Sequence, residues 1–317
     1  MRIVLLEPLG VGEPILQRLV SSLEREGHQV VTYSDRAVNN DELMTRSQKA
    51  DGVMLVNQPY PDDVIRECPD LKMISVAFTG VDHVGMNSCR EKHIIVSNAA
   101  GYSTHSVVEL SFGLTIAVLR KMIPADGAAR NGKTKDGLLG NELYGKTLGI
   151  VGTGAIGLQV AAIGKAFGCS VLAYSRSQKP EGIALGIQYV TLEDLLSQSD
   201  IVSLHVPLCG ETKNLIDGRL IRFMKPSAIL INTARGPVID NNALAAALKN
   251  GEIGGAGIDV FEMEPPIPST HPLMTAPNVI LSPHIGFATR EALERRAQIA
   301  FDNVLAWLKG APQNVIL

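Results

Sequence analysis

Residues 147–174 constrain the chain more than any other stretch. Thr147 to Val151 is a short apolar run suited to a buried strand. Gly152-Thr153-Gly154-Ala155-Ile156-Gly157 follows at once, and Ile156, Val160, Ile163 and Phe167 then recur at helical spacing. Cys169 to Tyr174 is a second apolar run. Strand, Gly-x-Gly-x-x-Gly, helix, strand is the context in which this glycine pattern signals dinucleotide binding. Gly152 permits a tight turn, Gly154 lets backbone N–H groups approach a pyrophosphate, and Gly157 lets the helix lie close on the strand. Ala155 and Ile156 sit at the helix start, where unpaired N–H groups and the positive dipole end face the phosphates. Outside such a context the same hexapeptide reads as an ordinary turn.

The rest of the chain repeats this alternation. Strands are expected at 2–6, 29–33, 52–56, 72–77 and 94–97, with helices at 13–26, 41–49 and 61–67 between them. A long apolar helix starts at Thr104, runs through Arg120 and continues toward Arg130, and residues 131–144 read as a polar, Gly-rich loop. After Tyr174 come strands at 201–206, 228–232, 255–260 and 279–281, a helix at 241–249 and a final helix at 288–308. Thr191-x-x-Asp194 resembles a capping box, with Asp in place of the usual Glu. Strands alternating with helices imply parallel βαβ units. The expected fold is α/β, with two doubly wound parallel-sheet domains. A Rossmann dinucleotide-binding domain, residues 99–288, is inserted in a flavodoxin-like substrate domain, residues 1–98 plus 289–317. A cleft between two such domains is a favoured place for a small ligand.

Bulk properties narrow the partners. The 317 residues are 45% hydrophobic and 19% charged, as in a packed globular protein. Net charge is -3 and there is no basic block, so nucleic acid and anionic membrane are not expected partners. Cys68, Cys89, Cys169 and Cys209 are scattered, which suits free thiols in a reducing compartment, the cytoplasm, and no metal is expected. The apolar start is too short for a signal peptide. The segment 107–119 contains Glu109 and is too short to span a bilayer.

Three polar residues follow predicted strands of the second unit. Arg235 comes after Ile229-Leu230-Ile231-Asn232-Thr233-Ala234, Glu264 after Asp259-Val260-Phe261-Glu262-Met263, and His284 after Leu281-Ser282-Pro283. In open α/β sheets, ligands gather at the carboxyl ends of the strands. Hydride transfer to a 2-keto acid needs these residue types. An arginine fork grips the carboxylate. A histidine gives the carbonyl oxygen its proton. A carboxylate beside the histidine supports the imidazolium. Taken singly, such residues are usually caps or solvated surface. Together, downstream of a glycine loop, they read as a site.

At these residues the chain resembles the D-isomer-specific 2-hydroxyacid dehydrogenase family along essentially its whole length. The matching stretches are 98–103, 152–157, 204–208, 231–236, 257–261 and 282–286. The resemblance implies Arg235 as carboxylate binder, His284 as acid/base and Glu264 as its partner. It implies that Asp259 meets the nicotinamide amide, that Pro207, Thr233 and Gly286 line the cofactor, and that Thr79 and Gly80 hold the substrate carboxylate. It implies a homodimer formed through the helix beginning near Thr104, and reduction of a small 2-keto acid, glyoxylate or hydroxypyruvate first. D-lactate-type or longer-chain 2-hydroxy acids are the alternative, and a nucleotide-sensing corepressor-like protein the rival from another class. His205 reads as structural or at the edge of the cofactor.

One departure bears on the cofactor. NAD-preferring relatives carry an acid at the end of the second strand to bind the ribose hydroxyls. Here Ser175 stands there, 23 residues after Gly152, followed by Arg176, Ser177 and Lys179. Two cations and two hydroxyls are available to a 2′-phosphate. NADP(H) is therefore the expected preference, with NAD(H) possible; a solvated basic turn is the other reading of these residues.

Overall fold

The structure, a computed structural model, describes residues 1–263 and 266–317. It divides into two compact units, 1–103 with 288–317, and 104–287. Both are built on a wholly parallel sheet.

The first unit runs β1 (Arg2–Leu5), α1 (Glu13–Glu24), β2 (Gln29–Thr32), α2 (Asn40–Ser47), β3 (Gly52–Leu55), α3 (Asp62–Arg66), β4 (Met73–Val76), α4 (Met86–Glu91) and β5 (Ile95–Asn98). Its strand order is β2-β1-β3-β4-β5. β3 and β4 are buried along their whole length, which is why they are apolar at nearly every position rather than alternating. Val4, Val53, Leu55, Ile74 and Val76 pack on one side with Leu43, Val64, Ile65 and Cys89 from α2, α3 and α4. Residues 99–103 stay with this unit. The Ala99 amide donates to the Phe78 carbonyl at 2.9 Å, and the buried Tyr102 ring lies 6.0 Å from the Phe78 ring.

The second unit runs α5 (Thr104–Leu119), α6 (Met122–Arg130), β6 (Thr147–Val151), α7 (Ala155–Ala166), β7 (Ser170–Tyr174), α8 (Pro180–Ala184), β8 (Gln188–Tyr189), α9 (Leu192–Gln198), β9 (Ile201–Leu204), α10 (Gly218–Ile221), β10 (Ile229–Asn232), α11 (Asn241–Lys249), β11 (Gly255–Ile258) and β12 (Val279–Leu281). Strand order is β12-β11-β10-β9-β6-β7-β8. Leu148, Ile150, Val171 and Ile231 face Val108, Phe112 and Leu114 of α5 and Val160 of α7. Leu172, Val202, Leu204 and Leu230 face α9, α10 and α11 through Leu195, Leu220 and Leu244. Burying each such side chain contributes about 1.5–3 kcal/mol.

The long helix expected from Thr104 toward Arg130 is two helices. α5 ends at Leu119, Lys121 adopts φ +51°, and α6 restarts at Met122. Pro124 is the reason: it has no N–H to return to the carbonyl four residues back, and its ring would clash there. The cap at Thr191 forms, its hydroxyl accepting the Asp194 amide at 3.1 Å and donating to the Asp194 carboxylate at 2.6 Å.

The last helix, α12 (Arg290–Leu308), belongs to the first unit. Ala297, Ala300, Phe301 and Val304 bury against Ile3, Leu5 and Met54, with Leu19 and Leu23 of α1 beside them. The Ser75 hydroxyl of β4 donates to the Ala300 carbonyl at 2.9 Å. Beyond the helix, Val315 bridges Ser97 of β5. Among the described residues no helix is long and apolar enough to cross a membrane.

Candidate active site

The seven strands of the second unit end at one edge, because all of them are parallel. The order reverses between β6 and β9, where a doubly wound sheet opens a crevice for a ligand. The glycine loop stands at that point. Gly152 has φ +98°, and its amide donates to the Tyr174 carbonyl at 2.8 Å. A Cβ on Gly157 would lie 2.0 Å from the Gly152 carbonyl, so any side chain there would push α7 off β6. Gly154 is the N-cap of α7 and offers no side chain to its amides, and a Cβ there would meet nothing within 4 Å. Ala155, Ile156 and Gly157 thus begin a helix whose first amides take no capping side chain. That is the provision a pyrophosphate requires.

Beside the loop lies a cleft of about 310 Å³ at the end of β7. Ser175, Arg176, Ser177 and Lys179 line it, with Pro207 opposite. The Lys179 amide donates to the Tyr189 hydroxyl at 3.2 Å, which in turn donates to Thr153 at 3.3 Å, so this turn is tied to the glycine loop. His205 and Glu211 also border the cleft. The His205 Nε2 lies 2.8 Å from the Ser203 hydroxyl, while its Nδ1 is buried without a partner. Burial drives its pKa from the usual 6.5 to about 3, so the ring is neutral in the working range. Glu211 has no signature in the sequence. It reaches the cleft only because the loop after β9 folds back toward β7.

At β10 the chain is clamped before it delivers Arg235. The Asn232 side chain donates to the Arg235 carbonyl at 3.0 Å and accepts the Ala234 amide at 3.0 Å. A Cβ on Gly236 would lie 1.9 Å from the Phe261 carbonyl, so only glycine lets the two loops cross this closely. Arg235 is half-buried, and its Nη1 donates to the Ala234 carbonyl at 2.7 Å. Thr233 is buried and lies 2.9 Å from the Ser111 hydroxyl of α5, which donates to Val107 at 2.8 Å. Ser111 has one proton, so the Thr233 hydroxyl is the donor between the two.

β11 and β12 deliver the remaining groups. Asp259 is buried, and its carboxylate accepts the Ser282 hydroxyl at 2.6 Å and the Ile285 and Gly286 amides at 2.9 and 2.8 Å. The His284 amide is shared between the Asp259 and Ser282 carbonyls at 2.8 and 3.1 Å. His284 has φ +57°, an unusual conformation for a residue with a side chain, and its ring meets Phe287 edge-on at 5.2 Å. The residue aimed from this loop is therefore set by Asp259, a connection the sequence does not display. Glu264, expected beside His284, lies outside the described residues. Glu262, two residues earlier in the chain, is 3.0 Å from His271.

Thr79 and Gly80 follow β4, at the carboxyl end of the first unit's sheet. The Thr79 carbonyl accepts the Asn98 side chain at 2.8 Å, which fixes the start of this loop.

A glycine loop at the switch point, with polar groups after successive strands, defines a dinucleotide-binding α/β oxidoreductase. The family model of the D-isomer-specific 2-hydroxyacid dehydrogenase NAD-binding domain matches residues 112–286. A glyoxylate reductase of Thermococcus litoralis is 41% identical over 285 residues, 86% of each chain. A glycerate dehydrogenase of Methylorubrum extorquens is 40% identical over 285 residues, 87% of this chain and 88% of the relative. The solved structure of an acyclic imino acid reductase in complex with NADPH and D-Arg superposes with a TM-score of 0.89 at 30% identity over all of both chains. The chain belongs to the D-isomer-specific 2-hydroxyacid dehydrogenase family, and it is an oxidoreductase that works with a nicotinamide dinucleotide.

Proposed function

We propose that the chain reduces glyoxylate or hydroxypyruvate to the corresponding 2-hydroxy acid, with NADPH preferred over NADH. The observation that carries the substrate class is the pair of relatives, one named for glyoxylate and one for glycerate, each about two-fifths identical over most of both chains. Glycerate is the reduced form of hydroxypyruvate, so both names describe a 2-keto acid with at most one small substituent.

In this reading the glycine loop and the start of α7 hold the pyrophosphate, Pro207 lines the adenosine end, and Thr233, Asp259 and Gly286 flank the nicotinamide half. When bound, the reduced nicotinamide supplies a hydride. Arg235 holds the substrate carboxylate through its fork, and Lys could not replace it because an ammonium is a single point of contact. Thr79 and Gly80 are read as substrate-binding residues through their backbone N–H groups. His284 donates a proton to the C2 oxygen as that oxygen gains negative charge, and takes it back in the reverse direction. Glu264 supports the protonated ring. Ser175, Arg176, Ser177 and Lys179 hold the 2′-phosphate, since the end of β7 carries no acid to repel it.

We also read the protein as a homodimer through the helix beginning at Thr104. The support is a groove of about 450 Å³ beside α5, where Ile116, Leu119, Leu143, Tyr144 and Phe167 stand with Arg120, Asn141 and Glu142, and Tyr144 is 76% exposed. An exposed tyrosine beside partly exposed Phe167 is surface that a second copy of the chain could cover. A light-scattering mass equal to one chain at micromolar concentration would remove this reading.

The test of the activity is a panel of 2-keto acids assayed with NADPH and NADH. The expected result is the highest kcat/KM for glyoxylate or hydroxypyruvate with NADPH. A higher value for pyruvate or a branched 2-keto acid would overturn the substrate assignment.

A further inference from the structure

The cleft at the end of β7 contains one carboxylate among its described lining residues, and that carboxylate does not come from β7. It is Glu211, on the loop after β9, and its Oε2 lies 3.4 Å from the Arg176 Nη1. Both side chains are more than three-quarters exposed, so the pair adds little to folding stability. The backbone of the turn that carries it is nevertheless held by hydrogen bonds. The Thr212 hydroxyl donates to the Pro207 carbonyl at 2.6 Å and accepts the Cys209 amide at 2.8 Å. The Lys213 amide donates to the Cys209 carbonyl at 3.0 Å, closing the turn on which Glu211 stands.

We infer that Glu211 is a specificity-determining residue for the cofactor, holding Arg176 when the adenosine ribose carries a 2′-hydroxyl and competing with a 2′-phosphate for the same guanidinium. This rests on the reading of Arg176 as a ligand of the 2′-phosphate. A phosphate monoester carries close to two negative charges at neutral pH and outbids a single carboxylate for a guanidinium. It must still displace or share the Glu211 contact, and it does so beside a like charge. Glu211 therefore weakens binding of the phosphorylated cofactor. With the unphosphorylated cofactor, the same residue neutralises an arginine that would otherwise face a hydroxyl. The ratio of the two affinities is thus set by two residues on different loops: Arg176 raises it and Glu211 lowers it. Such a discrimination is built from a repulsive element as well as an attractive one.

Calorimetric titration with adenosine 2′,5′-bisphosphate and with 5′-AMP tests this without turnover. The proteins are wild type, Glu211→Gln, Arg176→Ala and the double variant, at low ionic strength. Glu211→Gln is expected to tighten the bisphosphate by about two- to fivefold, the range of an exposed charge pair, with 5′-AMP moving less. In the Arg176→Ala background that gain should shrink. If Glu211→Gln leaves the ratio of the two affinities unchanged while Arg176→Ala abolishes the preference for the bisphosphate, Glu211 has no such role and the reading of Arg176 stands. If the full gain persists in Arg176→Ala, Glu211 acts by direct repulsion and competition for the guanidinium is overturned. If Arg176→Ala leaves the preference untouched, the 2′-phosphate reading itself fails, and the role of Glu211 fails with it.

Discussion

Asp259 and Gly286 are joined by a 2.8 Å hydrogen bond from the Gly286 amide to the buried Asp259 carboxylate. The same carboxylate takes the Ser282 hydroxyl and the Ile285 amide, so one side chain at the end of β11 holds the loop that carries His284 at three points. Asp259→Asn puts an NH₂ where an N–H donor now points. The unsatisfied pair costs about 1–3 kcal/mol. We expect kcat to fall roughly tenfold or more, with a lowered melting temperature, because a displaced acid/base loses its alignment. Wild-type kcat in Asp259→Asn would show that the loop is held by its backbone alone.

Arg235→Lys keeps the charge and loses the fork. A charge-assisted contact of about 1.5–3 kcal/mol is at stake. The variant should lose about ten- to a hundredfold or more in kcat/KM for the keto acid. Asn232 holds the Arg235 backbone in both proteins, so the melting temperature should change little. A steady-state comparison with near wild-type kcat/KM would sink the carboxylate role.

His284→Asn separates chemistry from backbone strain. Asparagine tolerates the left-handed conformation that His284 adopts at φ +57°, so the loop should keep its path. It has no group that titrates near neutrality. The expected loss in kcat is about 10²–10⁴, the usual worth of a positioned acid/base. Cofactor affinity, followed by quenching of protein fluorescence, should stay close to wild type. A variant retaining most of its kcat would mean that another group delivers the proton.

The end of β7 predicts the cofactor ratio. Wild type should favour NADPH over NADH by about tenfold or more in kcat/KM, from charge-assisted contacts of about 1.5–3 kcal/mol reduced by exposure to water. Added salt should narrow the gap, since the contacts lie near solvent. Ser175→Asp combined with Arg176→Ala should reverse the preference by removing an attraction and adding a repulsion. Equal or better use of NADH by wild type would make the turn an ordinary basic surface.

His205 gives a pH signature unrelated to catalysis. Burial depresses its pKa to about 3, whereas the unfolded chain has the usual value near 6.5. Between those values the unfolded state binds a proton that the folded state refuses, so the stabilisation present above pH 6.5 is lost as pH falls. His205→Gln removes the titrating group. From about pH 7.5 to about 5.5, wild type should lose about 1.4 kcal/mol more than the variant, or roughly 2–4 °C in melting temperature. Equal losses in a calorimetric scan of both proteins would contradict a neutral buried ring.

Strands in both sheets were legible because they are buried on both faces and read as nearly continuous apolar runs, as β4 and β10 do. The glycine loop was legible because all its contacts are local, from β6 through α7. Arg235 and His284 could be located because each follows such a run directly. Three features were not legible, each for a physical reason. β8 is two residues long, too short to show any period. The break at Lys121 depends on one proline three residues on, inside a segment whose apolar spacing continues through it. Glu211 meets Arg176 across 35 residues of sequence, through a tertiary contact that no spacing encodes. Asp259 was legible as a position but not as the anchor of the 282–286 loop, because its partners lie on another strand's end.

The placement of α12 has a consequence for how the chain is made. One side of the first sheet is only partly covered until Phe301, Ala300 and Val304 arrive, and they follow the entire second unit in the chain. Emerging from a ribosome at ~5–20 residues per second, the second unit occupies roughly ten to forty seconds before α12 is available. During that interval Ile3, Leu5 and Met54 have only α1 over them. The internal unit has its full sequence first and can close first. The segment synthesised earliest is thus the last to reach its native core, and nascent-chain protease protection should appear in that inverted order.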